Sequence, residues 1–152
     1  MKPSIPDRDK LADQAMIFLR TMQQLTQNHM RQLQPVLEAE HGIDFRLYYI
    51  LNKIDMGMVY PGEISKAVQL PNSVITRHLD QLVERGLLER SLDVEDSRRI
   101  RLTLTKEGQR IVREATRTTS GIIGNSLERL APARREVFLA ALRDLLPDAQ
   151  QS

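Results

Sequence analysis

The polar residues Asn72, Ser73, Thr76, Arg77 and Asp80 fall at spacings that line one face of a helix. Asn72, Ser73 and Thr76 are short hydrogen-bonding groups at the start of that helix, and Arg77 follows one turn in. Such a start suits the major groove of double-stranded DNA. Ser, Thr and Asn reach base edges or phosphates, Arg takes guanine through two parallel hydrogen bonds, and first-turn amides hold a phosphate. The same face would serve an ordinary solvated helix, because polar outer faces are universal. A second group follows in Asp93-Val94-Glu95-Asp96-Ser97-Arg98-Arg99-Ile100-Arg101, with three arginines at the tip and return strand of a hairpin. Asp96, two residues before Arg98, is placed to brace its guanidinium or to close the turn through a backbone amide. A forward-pointing arginine on a thin β-ribbon has the shape for a narrow minor groove and its negative potential. A salt-bridged surface loop is the plain alternative. The short interval between this loop and the polar helix favours the DNA reading.

The elements that must hold these residues are legible from periodicity. Leu11, Ala15, Phe18, Leu19, Met22, Leu25 and Leu33 recur at helical spacing, predicting a long helix from Leu11 to Leu37 that Pro35 bends or ends. A turn at His41-Gly42-Ile43 follows, and Asp44 caps a second helix carrying Leu47, Ile50, Leu51 and Ile54. Gly57, Pro61 and Gly62 break it, and a short third helix fits Glu63 to Val68. The polar face belongs to a fourth helix from Asn72 to Arg85, whose core side is Ile75, Leu79, Leu82 and Val83 and which Gly86 stops. Leu87 to Leu92 and Ile100 to Leu104 read as two short strands. Thr105 caps a fifth helix with Ile111, Val112, Ala115, Ile122, Ile123, Leu127 and Leu130. A last helix after Pro132 carries Val137, Phe138, Ala141, Leu142, Leu145 and Leu146.

This is a mainly α fold with a small β-hairpin. The helices at its two ends have wide apolar stripes and no obvious partner in the middle module. Pairing of these helices between two subunits is the simplest way to bury the stripes, and folding back on the module as a monomer is the other. The expected organisation is an N-terminal dimerisation helix over 1–42, a DNA-binding module over 43–106 and C-terminal dimerisation helices over 107–152.

Composition bounds the rest. The chain has 152 residues, 41% hydrophobic and 28% charged, the profile of a globular protein with a real core. No apolar run approaches the roughly 18 to 20 residues needed to cross a bilayer, and Met1 to Lys10 lacks the apolar segment of a signal peptide, so a cytoplasmic protein without membrane contact is expected. With no cysteine, disulfides, thiolate zinc sites and thiol redox sensing are excluded. A formal net charge of +2 fits a nucleic-acid partner without demanding one. Between Lys66 and Lys106 eight basic residues stand against six acidic, again +2, so affinity must come from arrangement and from two half-sites. The histidines His29, His41 and His78 are scattered, and no Gly-rich phosphate loop occurs, so no catalytic residues and no cofactor are assigned. His78, beside Arg77, reads as a phosphate contact or a surface residue. Gly121 and Gly124, inside a helix, mark a bend or close packing. Glu38, Glu40, His41 and His29 have the chemistry of a zinc site, yet a solvated helix end explains them equally, and no metal is assigned. A winged helix that binds protein rather than DNA is a further alternative, but it would not need Arg98, Thr76 and Arg77 where they stand.

From about Ile43 to Gly108 the sequence resembles the MarR family of winged helix-turn-helix transcriptional regulators. The resemblance is carried by Ile64-Ser65-Lys66-Ala67, by Val74-Ile75-Thr76-Arg77 and by Leu82-Val83-Glu84-Arg85-Gly86-Leu87-Leu88-Glu89-Arg90. Most specific is the order Asp96-Ser97-Arg98, a strand through Leu102, then Leu104-Thr105-Lys106-Glu107-Gly108. The terminal helices match only in length and amphipathicity. The resemblance implies a homodimer joined through those helices, with two recognition helices in successive major grooves of a palindromic operator. It implies Arg98 in the minor groove with Asp96 as its brace, and a repressor released by a small-molecule effector, often a phenolic or other aromatic acid. Asn72, Ser73, Thr76 and Arg77 would then read bases, while Lys66, Arg99 and Arg101 would contact phosphates. Arg46, Tyr48, Tyr49 and His29 lie on helices bordering the family's ligand site, but packing explains the tyrosines equally well, so effector-binding residues are not assigned. Three positions depart from the pattern. Pro71 and Gln69 stand where Ser and Gly are frequent, and Ser97 replaces a second Arg. If the backbone at Gln69 needs positive φ, Gln costs about 1 kcal/mol there.

Overall fold

Local sequence chemistry sets most of the element boundaries. The computed structural model describes residues 5–147, with side chains from residue 8 onward; the outermost residues of the first and last predicted units lie outside that range. Helix α1 spans Ile5–Val36 and passes through Pro35 rather than ending there. Proline removes one helical hydrogen bond and crowds the preceding turn. Just beyond it the chain widens into a π turn, Leu37–His41, which closes on left-handed Gly42. Asp44 accepts from the Leu47 amide and starts α2, Phe45–Asp55. Helix α3, Pro61–Val68, begins at Pro61, two residues earlier than expected, because a first-turn proline forfeits no hydrogen bond and its φ is already helical. Helix α4 is Asn72–Glu84, and left-handed Gly86 follows it.

Strands β1, Leu88–Leu92, and β2, Ile100–Leu104, form an antiparallel hairpin in which Leu88 faces Leu104, Arg90 faces Leu102 and Leu92 faces Ile100. Leu102 also donates its amide to the Val59 carbonyl at 2.8 Å, tying the hairpin root to the loop before α3. Thr105 accepts from the Gly108 amide and donates to the Gly86 carbonyl, so one side chain both caps α5, Lys106–Leu127, and holds it against the end of α4. Helix α6 is Pro132–Asp144.

The core is built by Leu33 and Leu37, the apolar face of α2, Ile64, the inner side of α4, the hairpin root and the first half of α5. On α4 the buried set is Ile75, His78, Leu79 and Leu82. Val83, expected in the core, is 36% exposed, and His78, expected at the surface, is 8% exposed. Both corrections follow from the helical period. At 3.6 residues per turn, position 78 lies about 60° from Ile75 on the Leu82 side, and position 83 lies about 80° away on the other. His78 thus completes an i, i+3, i+4, i+7 stripe.

Gln69 ends α3 with φ +54°, the one non-glycine residue of positive φ among the described residues. The side chain gains nothing there that offsets the crowding of its Cβ. Gln69→Gly is therefore expected to stabilise the chain by about 0.5–1 kcal/mol, the relief of strain exceeding the added freedom of the unfolded chain. A thermal melt should show a rise of roughly 2–3 °C. A fall would mean that the Gln69 side chain makes a stabilising contact.

Candidate nucleic-acid interface

Helix α4 presents its start to solvent. Asn72, Ser73, Thr76 and Arg77 are all exposed. Pro71 offers no side-chain cap, and the Val74 and Ile75 amides both bond the Pro71 carbonyl, which leaves the Asn72 and Ser73 amides for an outside acceptor. Thr76 Oγ1 donates to the Asn72 carbonyl at 2.9 Å and keeps its lone pairs outward. Among the described residues the Arg77 guanidinium has no partner. Asp80, one turn further on, is held by Arg90 of β1 at 2.5 Å, an ion pair that joins the polar helix to the hairpin. Lys66 stands exposed on α3 beside a shallow depression of about 450 Å³ that it shares with Tyr60, Glu63 and Arg99.

The hairpin tip is organised around Asp93, which the sequence reading passed over. Asp93 is 8% exposed. Its Oδ1 accepts the amides of Glu95 at 2.9 Å and Asp96 at 3.0 Å, and its Oδ2 accepts the Tyr60 hydroxyl at 2.7 Å and lies 3.6 Å from the Arg101 guanidinium. The Tyr60 hydroxyl above all, then the two amides and Arg101, favour the carboxylate and hold Asp93 down to about 2. The same bond raises the Tyr60 hydroxyl above its ordinary value. The Arg99 guanidinium lies over the Tyr60 ring, 3.5 Å from its centroid. Asp96 accepts the backbone amide of Arg98 at 3.0 Å, closing the turn instead of holding the guanidinium. Of the three wing arginines, then, Arg99 is stacked, Arg101 is paired, and Arg98 alone has a guanidinium without a partner among the described residues. The signal for Asp93 was present as an Asp opening a polar turn two residues before a backbone amide it could bind. The signal for Tyr60 was not, because its partner lies 33 positions away.

The histidines do not form a site. His29 Nε2 meets Ser126 Oγ at 2.8 Å, and His41 Nε2 meets Thr118 Oγ1 at 3.0 Å, so the first stitches α1 and the second the π turn to α5. Glu38 accepts from Gln34. Among the described residues no three His, Asp or Glu side chains converge on one point. Tyr48 is buried with its hydroxyl 3.2 Å from Thr116 Oγ1, while Tyr49 stacks on Phe45 beneath Lys53. Arg46 is exposed.

This geometry, a polar helix start beside a thin ribbon tipped by an unpaired arginine, agrees with what the chain resembles. Residues 50–100, from α2 to the start of β2, match the MarR family. Over that stretch the chain is similar to a MarR-family winged helix. A transcriptional regulator of the helix-turn-helix type from Bacillus subtilis, YwhA, is 30% identical over 83 residues, a match that spans 55% of this chain and 60% of that regulator's length. Among solved structures, a variant of MarR from E. coli in complex with operator DNA superposes with a TM-score of 0.75 at 22% identity, over 89% of this chain and 97% of that one. PcaV from Streptomyces coelicolor, a transcriptional regulator bound to its natural ligand, superposes with a TM-score of 0.66 at 27% identity, over 86% and 92%. The MarR-type architecture thus extends beyond residues 50–100 to the terminal helices. YwhA and PcaV are both transcriptional regulators.

Proposed function

We propose that this chain is a sequence-specific, double-stranded-DNA-binding transcriptional regulator that works as a homodimer in the cytoplasm. One observation carries the reading. The polar start of α4 and the unpaired Arg98 sit on one rigid module, joined by the Arg90–Asp80 ion pair. Asn72, Ser73, Thr76 and Arg77 read the major groove, Arg98 enters the minor groove, and Lys66 contacts phosphate. The dimer rests on surface that one chain leaves uncovered. Helix α6 buries none of its residues, and Leu11, Ile17, Phe18 and Leu19 of α1 are about half or more exposed. An apolar groove of about 430 Å³ between α1, α5 and α6, with Leu25, Ile123, Phe138 and Leu142 on its walls, suits a second copy's helix. The dimerisation units would be residues 1–42 and 107–152, flanking a DNA-binding unit over 43–106.

We propose further a repressor released from a palindromic operator by a small molecule, a phenolic or other aromatic acid; the likeness to a regulator solved with its natural ligand supports the small-molecule part. The test is selection of bound sequences from a random duplex pool at physiological salt. The expected product is a palindrome with half-sites about one helical turn apart. Recovery of no preferred sequence, with and without aromatic acids, would refute the reading.

A further inference from the structure

We propose that Tyr60 and Asp93 are the residues that aim the wing, acting on DNA through Arg98. The inference rests on the DNA-binding reading and adds positions to it that touch no base or phosphate themselves.

A ribbon of two five-residue strands is marginal by itself and must be held by its surroundings. Besides the Arg90–Asp80 ion pair to α4, the wing is held to the loop before α3 at two points. The Leu102 amide binds the Val59 carbonyl at the root, and the Tyr60 hydroxyl binds Asp93 where β1 ends and the turn begins. Asp93 passes this anchor along the turn. It accepts the amide of Asp96, and Asp96 accepts the amide of Arg98. Tyr60 is thus connected to the backbone of Arg98 through three successive hydrogen bonds. At its other end Tyr60 is fixed, because Pro61 starts α3 directly after it and the Tyr60 carbonyl accepts the Glu63 and Ile64 amides. Arg99 covers the ring and Arg101 pairs with Asp93, so two of the three wing arginines serve the clamp. The charge left over is that of Arg98. The Arg90–Asp80 pair ties β1 to α4, and the direction of the tip beyond it is set by a bond between the loop before α3 and the wing.

The experiment is a double-mutant cycle on the full chain, with the duplex recovered by selection as probe. Tyr60→Phe keeps the ring and the Arg99 stack and deletes only the hydroxyl. It should weaken binding about tenfold, within the range of couplings between groups in one hydrogen-bond network. In an Arg98→Ala background the same change should alter the dissociation constant less than about twofold, because no aimed arginine remains to lose. Asp93→Asn, which keeps an acceptor for the two turn amides, should repeat the Phe variant's pattern, a loss with Arg98 present and little change in the Arg98→Ala background. It also serves as the independent reading should the Phe variant fold poorly. An equal loss with and without Arg98 would mean that the clamp serves folding or general binding, and would overturn the proposal. So would wild-type affinity in both single variants. Failure of the wild-type chain to bind any duplex would instead refute the DNA-binding reading.

Discussion

Replacing Gly108 by alanine is expected to destabilise the chain by about 3 kcal/mol, with a melting temperature lower by roughly 6–12 °C. The first turn of α5 presses on the end of the recognition unit at this point. A Cβ on residue 108 would fall inside the van der Waals envelope of the Leu87 carbonyl oxygen and 3.0 Å from its carbonyl carbon. Neither atom is free to retreat. The Leu87 carbonyl accepts the Thr105 amide at 3.2 Å, the Leu87 amide is bonded to the Leu82 carbonyl, and the Leu87 side chain is buried. Overpacking against backbone lies at the upper end of the usual range, because no rotamer change relieves it. The φ at Gly108 is ordinary, so the effect isolates close approach from backbone conformation. A melting temperature within a degree or two of the wild type would show that α5 slides freely on this contact. The Leu-Thr-x-x-Gly signature acquires a physical meaning here: Thr105 caps the helix and binds Gly86, and Gly108 allows the two backbones to touch.

The parts of the fold that could be read in the sequence are those decided within a few residues. Asp44 bonds to Leu47, Thr105 bonds to Gly108, Gly86 turns left-handed, and Pro71 leaves α4 uncapped, each as its residue type dictates. Gln69 was suspect only because glycine is frequent there, and its φ of +54° bears the suspicion out. The errors have the same origin in reverse. His78 was weighed by its neighbour Arg77 rather than by its angle from Ile75, and helix period outranks sequence adjacency. Polar identity also misled at the wing. The residues left Asp96 two roles, bracing the Arg98 guanidinium or closing the turn, and the resemblance implied the first; it takes the second, and the guanidiniums of Arg99 and Arg101 go to Tyr60 and Asp93. Which arginine is free depends on an aromatic ring from another element, and no local pattern encodes that meeting. The terminal helices were legible as amphipathic, but what covers them was not, because an apolar stripe states only that something must.

Arg98→Ala is the substitution with the largest expected effect on DNA binding. A guanidinium without a protein partner is not bound in competition, so its transfer into a minor groove forfeits only water contacts. Such a contact is worth about 1–3 kcal/mol. In the proposed dimer two wings double it, and the dissociation constant should then rise by at least about 30-fold. The salt dependence should flatten by about two counterions per dimer. Arg77→Ala should act differently, relaxing the preferred sequence at one position of each half-site. Arg98→Lys separates charge from shape. Lysine keeps the salt dependence, but it is a compact, strongly hydrated charge that gives up its water less readily than the guanidinium, so affinity should stay well below wild type. A titration series at several salt concentrations measures all three variants. If Arg98→Ala binds within threefold of the wild type, the wing does not enter the duplex, and recognition must rest on α4 alone.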